Sequence, residues 1–281
     1  MQTENENPPN SILREIRSSI DAIDDQLLPL FLQRMMAVKR IMIAKKICGI
    51  GTNDPKREDK ILNRLTYAAD SEMESWIRKF FTSVFSVSKD FQKTYHWGTL
   101  QTRVLLCGIK HSGKTTMGKL LAEILNVPFY DTDDLFSQKT GVPPRVFYRE
   151  HGETLFQTEE AKILQSLEDL CPSPSVIALG GGSLSNPFFP PYLLHDTGSI
   201  VWLKVKDEIA FQRILATGLP PFLEHEKEPF VYFKSMNVER NRYYAASASI
   251  TLEIGDNENI VDGVIRLLNM FPEKVLQRSN D

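Results

Sequence analysis

Between residues 103 and 125 the chain reads RVLLCGIKHSGKTTMGKLLAEIL. A short β-type run, "RVLLC", meets a loop spaced Gly108-x4-Gly113-Lys114-Thr115, and a helical pattern opens at Lys114 and runs to Leu125. The strand ahead and the helix behind make this a phosphate-cradling loop: backbone N–H groups and the helix dipole face an anion. Lys114 is expected to reach the β- and γ-phosphates and Thr115 to ligate Mg²⁺, with Gly108, His111, Ser112, Gly113 and Thr116 completing the nucleotide cradle. His111 stands where related loops often carry glycine, so the backbone there is less free.

Such a loop belongs to a parallel sheet with helices on both faces, and the chain beyond it supplies one. "VPFYD", "SVIAL" and "SIVWLKV" are further β-type runs, separated by helical stretches such as Glu153 to Leu170. "YDTDD" ends the second of these strands with Asp131 and Asp133 two residues apart, on one side of an extended chain where ligands of open α/β sheets bind. One can serve the metal while the other meets an acceptor hydroxyl. Capping of the helix "DLFSQK" by Asp133 or Asp134 is the structural alternative. Gly180 to Gly182 in "LGGGS" let backbone approach a ligand closely.

The first hundred residues carry no strand signal. From Ser11 to about Ile47, Ile16, Ile20, Ile23, Leu27, Leu30, Val38 and Ile41 form an apolar stripe on a helix roughly 50 Å long, more than a small domain can cover, so a second chain is expected against it. Pro29 is expected to bend that helix. Gly49 and Gly51 end it; Asp54 and Pro55 start a second helix running to about Ala69; Ser71 and Glu74 form a capping-box pattern before a third reaching about Tyr95. "HWGTLQT" reads as a linker. The expected domains are residues 11–97, all-helical, and 102–275, a phosphate-loop α/β fold.

Within the helical half, Arg34 and Lys45 lie four residues beyond Leu30 and Ile41 and so point to the buried side, and Arg17 flanks the stripe. Ser88 and Gln92, four apart, continue the face of Phe81 and Val84; Asp54 and Glu58 share a face of the second helix. For any one cation alone, snorkelling or pairing with Asp21 and Asp24 is the simpler reading. Together these groups make a cationic cavity with a few acceptors, suited to a small dianion bearing a hydroxyl. It holds no nucleophile beside a base and no metal cluster, so catalysis there is electrostatic and conformational.

The pattern "IRSSIDAIDDQLL", "QRMMAVKRI", "AKK", "DPKRE", "SVSKDFQ" over residues 11 to 95 resembles the all-helical AroQ-type chorismate mutases. That resemblance implies an intertwined homodimer, with Arg17 of one subunit and Arg34 of the other on the substrate carboxylates. It also puts Lys45 and Gln92 on the ether oxygen, Glu58 and Asp54 near the ring hydroxyl, and Arg57 and Ser88 completing the pocket. Residues 102 to 270 resemble shikimate kinase in the phosphate loop, "DTD", "KTG", "HGETLF", "ALGGGS" and "ERNRYY". The resemblance implies a nucleoside-monophosphate-kinase-like core, use of ATP and Mg²⁺, and phosphorylation of the 3-hydroxyl of shikimate. Asp133 would bind and activate that hydroxyl, Asp131 would serve Mg²⁺, Gly181 and Gly182 would touch the ring, and Arg240 would bind its carboxylate.

Two positions depart from the kinase pattern. Gln157 follows "GETLF" where arginine is usual, and Pro220 of "PPFL" stands where a lid arginine would be; Arg213 or Lys227 could supply a cation instead. Three readings stay open: a bifunctional mutase and shikimate kinase, a mutase fused to a kinase for another small hydroxy acid, or a mutase with a nucleotide-sensing module. A net charge of -3 gives no global attraction to nucleic acid or anionic lipid. Three cysteines without metal or disulfide spacing, and the lack of a signal peptide or membrane-length apolar run, point to the cytoplasm. The polar first ten residues are expected to be disordered.

Overall fold

The computed structural model describes residues 8–51, 54–67 and 70–278. The chain divides into two compact units between Tyr95 and His96. Disorder was expected over the first ten residues; residues 1–7 lie outside the described ones, and Pro8 to Asn10 open a helix.

The first unit is built from α1 (Pro8–Cys48), α2 (Pro55–Tyr67) and α3 (Glu74–Thr94). α3 packs against both of the others, and Val38, Ile43 and Phe85 are buried. α1 passes through Pro29 as one helix. Its end follows from Gly49: at φ 62° this residue allows Gly49 N–H to reach Lys46 O and Ile50 N–H to reach Lys45 O, satisfying two terminal carbonyls. Asp54 caps α2, accepting from the Arg57 N–H at 3.1 Å, with Pro55 at the first helical position. The expected end of α2 at Ala69 falls outside the described residues. Expectation fails at α3, where Ser71 and Glu74 make no capping box. Asp70 to Met73 form a turn, so the helix starts three residues after Ser71 and Met73 takes the cap position without a side-chain bond.

The second unit follows the order β1 (Thr99–Leu100), β2 (Arg103–Cys107), α4 (Lys114–Leu125), β3 (Phe129–Asp131), α5 (Thr132–Thr140), α6 (Pro144–Gln165), α7 (Leu167–Leu170) and β4 (Ser175–Ala178). It continues with α8 (Leu194–Thr197), β5 (Gly198–Lys204), α9 (Asp207–Thr217), α10 (Pro229–Ser247), β6 (Ile250–Glu253), α11 (Ile260–Met270) and β7 (Leu276–Gln277). Five strands pair in parallel in the order β3-β4-β2-β5-β6, with Val104 opposite Val176 and Leu105 opposite Ile200. Both faces are covered: Leu105, Ile177 and Ile200 on one, and Val104, Val176 and Val201 on the other, are all nearly inaccessible. Gly118 brings α4 against the sheet, since a Cβ there would lie 2.5 Å from the Phe129 ring.

Three sequence expectations are corrected. The linker "HWGTLQT" contains β1, which pairs antiparallel with β7 and so ties the start of this unit to its end. The helix expected from Glu153 starts at Pro144, kinks at Gly152 (φ 79°) and breaks at Ser166 before α7. β6 was not foreseen at all. Among the described residues no helix is long and apolar enough to cross a membrane.

Candidate active sites

β2 leads straight into the phosphate loop. A Cβ at Gly108 (φ 145°) would lie 2.6 Å from Leu203 O, so glycine is required where the loop leaves the sheet. His111 adopts φ 60°, a left-handed conformation that glycine would take more easily, and Gly113 (φ 98°) caps α4. Lys114 Nζ donates to Gly108 O and Ile109 O, each at 2.9 Å. Burial pushes the Lys114 pKa down to about 8, against the pull of Asp133. The Ser112 hydroxyl is buried with no partner among the described residues. Arg213 donates to His111 O at 3.0 Å, so the alternative cation named from sequence braces the loop from α9.

Thr115 Oγ1 donates to Asp131 Oδ2 at 2.8 Å, and Asp131 Oδ1 accepts from the Asp133 N–H at 3.0 Å. Asp131, rather than Asp133 or Asp134, is therefore the cap of α5. This leaves Asp133 in the first helical turn, where desolvation, then Asp131, raise its pKa. Thr116 completes the wall of a cleft of ≈ 600 Å³ that extends to Ile254, Asn259 and Ile260. No group of three His, Cys, Asp or Glu gathers around a metal position among the described residues. The adjacent oxygens of Thr115 and Asp131 nevertheless fit Mg²⁺, which takes few protein oxygens and keeps its waters.

A second cavity, of ≈ 480 Å³, opens on the other side of Asp133 and contains Gly181, Gly182, Gln157 and Arg240. Its floor is held by two bonds: the Gly180 N–H donates to Thr132 Oγ1 at 2.8 Å, and the Tyr244 hydroxyl donates to Gly181 O. A Cβ at Gly182 would lie 3.4 Å from the Arg240 guanidinium, so this glycine leaves that cation open to the cavity. Gln157 Nε2 is turned to Glu153 Oε1 at 3.0 Å. Pro220, Pro221 and Phe222 make an apolar wall. The segment is fastened to α6, where Arg145 donates to Leu219 O and both Arg145 and Arg149 pair with Glu224. Lys227 is exposed and lines neither cavity.

In the helical unit, half-buried Arg34 donates to the Ser88 hydroxyl and reaches Val84 O at 3.5 Å. Gln92 Nε2 donates to Ser88 O, and Gln92 Oε1 is buried without a partner among the described residues. Arg34, Ser88 and Gln92 are thus brought together. Lys45 is half-buried on α1, one helical turn beyond Ile41. Glu58 is held by Lys89 at 2.8 Å. Arg17 and Arg57 are exposed on this chain, and one oxygen of exposed Asp54 is spent on the α2 cap.

Sequence reasoning missed Lys89, which neutralises Glu58, and Lys110, which lies inside the quoted loop and lines both cavities. It also missed Glu160, a buried carboxyl that accepts from Ser183 at 2.9 Å and Asn186 at 2.8 Å. Its placement three residues after Gln157 on α6 was the available signal.

Comparison with known proteins gives two family matches. Residues 110–269 match the family model for shikimate kinase and residues 16–93 that for chorismate mutase type II. A shikimate kinase of Microcystis aeruginosa is 31% identical over 169 residues, covering 60% of this chain and 86% of that protein. A shikimate kinase of Chlamydia pneumoniae is 36% identical over 126 residues, 43% of this chain and 69% of the relative. Among solved structures, shikimate kinase from Acinetobacter baumannii in complex with shikimate is similar at 28% identity and a TM-score of 0.54, covering 62% of this chain and 94% of that one. Shikimate kinase from Bacteroides thetaiotaomicron gives 27% identity and 0.53, over 60% and 98%.

Proposed function

The chain belongs to the shikimate kinase family and carries a chorismate mutase domain ahead of the kinase, and we propose how its residues divide the two reactions. The domains are taken as residues 11–97 and 102–275. The observation that carries the kinase reading is that the nucleotide cleft and the second cavity meet at Asp133.

In the kinase, the loop from Gly108 to Thr116 takes the phosphates of ATP, with Lys114 leaving its loop carbonyls for the β- and γ-phosphates. Thr115 and Asp131 would hold Mg²⁺, which supplies charge neutralisation on the phosphate oxygens when bound. Arg240 takes the carboxylate of shikimate, Gly181 and Gly182 admit its ring, and Asp133 accepts the proton of the 3-hydroxyl. The raised pKa of Asp133 suits a group that must take up a proton during transfer. Gln157 offers only a neutral amide to the same substrate, so KM for shikimate is high relative to enzymes with a charged group there.

In the mutase, Arg34 and Arg17 hold the two carboxylates of chorismate. Lys45 and Gln92 meet the charge that develops on the ether oxygen; Glu58, Asp54, Arg57 and Ser88 shape the rest of the pocket. Arg17 comes from a second subunit. Supporting this, Ile16, Ile20, Ile23, Leu27 and Leu30 of α1 are each 45 to 60% exposed on the single chain, a stripe that a homodimer covers. Free Cys48, Cys107 and Cys171 support a reducing, cytoplasmic setting. The ligands are small anions rather than nucleic acid or membrane.

Release of ADP from MgATP with a panel of small hydroxy acids tests the acceptor. Turnover with shikimate above all others is expected. MgATP binding without ADP formation from any of them would favour a sensing module, and preference for another acid would replace shikimate.

A further inference from the structure

The cations around the two cavities are not equivalent. Lys114 and Arg213 line the nucleotide cleft, Arg145 and Arg240 the second cavity, and Lys110 lines both. Three of the others are held by loop or lid-side groups, Lys114 by Gly108 O and Ile109 O, Arg145 by Leu219 O and Glu224, and Arg213 by His111 O, while Arg240 lines only the second cavity. Lys110 has no hydrogen bond or ion pair among the described residues. Its backbone abuts the glycine loop, since a Cβ on Gly181 would lie 3.3 Å from Lys110 N. Gly181 therefore leaves the Lys110 main chain and the ring-facing floor of the second cavity in direct apposition.

From this placement we infer that Lys110 is a further catalytic residue of the kinase, its ammonium contacting the phosphoryl group as it crosses from the nucleotide cleft to the acceptor cavity. The inference rests on the kinase reading. In that transfer the acceptor oxygen forms a bond to the γ-phosphorus and the bond from phosphorus to the β–γ bridging oxygen breaks. ADP departs with that electron pair, and the hydroxyl proton passes to Asp133. Negative charge is spread over the equatorial oxygens of the moving group, and a cation at the boundary stabilises it along the path. Lys114 acts from behind, on the ATP side.

The test is steady-state kinetics of the full chain with MgATP and shikimate, beside calorimetric binding of MgATP. Lys110→Met is expected to lower kcat about 10²-fold while its Kd for MgATP stays within about threefold, and Lys110→Arg to recover at least about tenfold of the loss. A kcat for Lys110→Met within about threefold of the unsubstituted protein overturns the inference. So does loss of MgATP binding matching the loss of rate, which would make Lys110 an ordinary nucleotide ligand or a structural residue. If the unsubstituted protein is active, these results leave the kinase reading intact; if it forms no ADP with shikimate, that reading and this inference fall together.

Discussion

Lys114 exposes its own state to titration. Its folded pKa, about 8, is set by burial and lies well below that of a free lysine. ATP phosphates select the ammonium form, so binding favours proton uptake and affinity falls as pH rises through that value. KM for MgATP should rise by roughly tenfold per pH unit above 8, while KM for shikimate changes little. A flat KM for MgATP between pH 7 and 9.5 would show that Lys114 remains charged by other means. At Gln157 the amide is turned to Glu153 and offers no charge to the cavity. Gln157→Arg should raise kcat/KM for shikimate by about tenfold or more, because a charge-assisted pair replaces a neutral contact worth roughly 1.5 kcal/mol less. Residues carrying a spacing signal, such as Lys114, Thr115, Asp131 and Asp133, were singled out in the sequence, and the structure gathers them along one cleft. The partners of Lys89 and Glu160, namely Glu58, Ser183 and Asn186, come from distant segments and were not legible, whereas Lys110 was passed over although it lies inside the loop.

Elements with a long period or a strong stop were read closely. Lys114 to Leu125 is helical from end to end as expected, and Gly49 closes α1 through two backbone bonds. β6 was missed although "ITLE" alternates apolar and polar residues as a strand does, and β1 and β7 have only two residues each. Their strand character comes from pairing partners far along the chain, which local propensity does not report. The start of α3 was misplaced because a Ser-x-x-Glu spacing also fits a turn one step before the helix. The exposed stripe of α1 carries a prediction of its own. Ile20→Asp puts a charge where an apolar partner surface is expected, so light scattering should show the full chain shifting from dimer to monomer. Chorismate turnover should fall with it, since Arg17 is then withdrawn. A substituted protein that stays dimeric and fully active would place the subunit contact elsewhere.

At the scale of the molecule, two compact units on one chain carry two reactions that are not consecutive, so passing an intermediate directly between them does not explain the fusion. If each unit works through its own cation, the two activities can be removed separately. Both rates should be measured on the purified chain and on two substituted forms, following prephenate from chorismate and ADP from MgATP with shikimate. The unsubstituted chain should carry out both reactions. Lys45→Ala should lose about 10² to 10³ of the mutase rate and keep the kinase, and Lys114→Ala should lose a similar factor of the kinase rate and keep the mutase. A chain lacking either activity, or a substitution that lowers both together, would contradict this division of the two reactions.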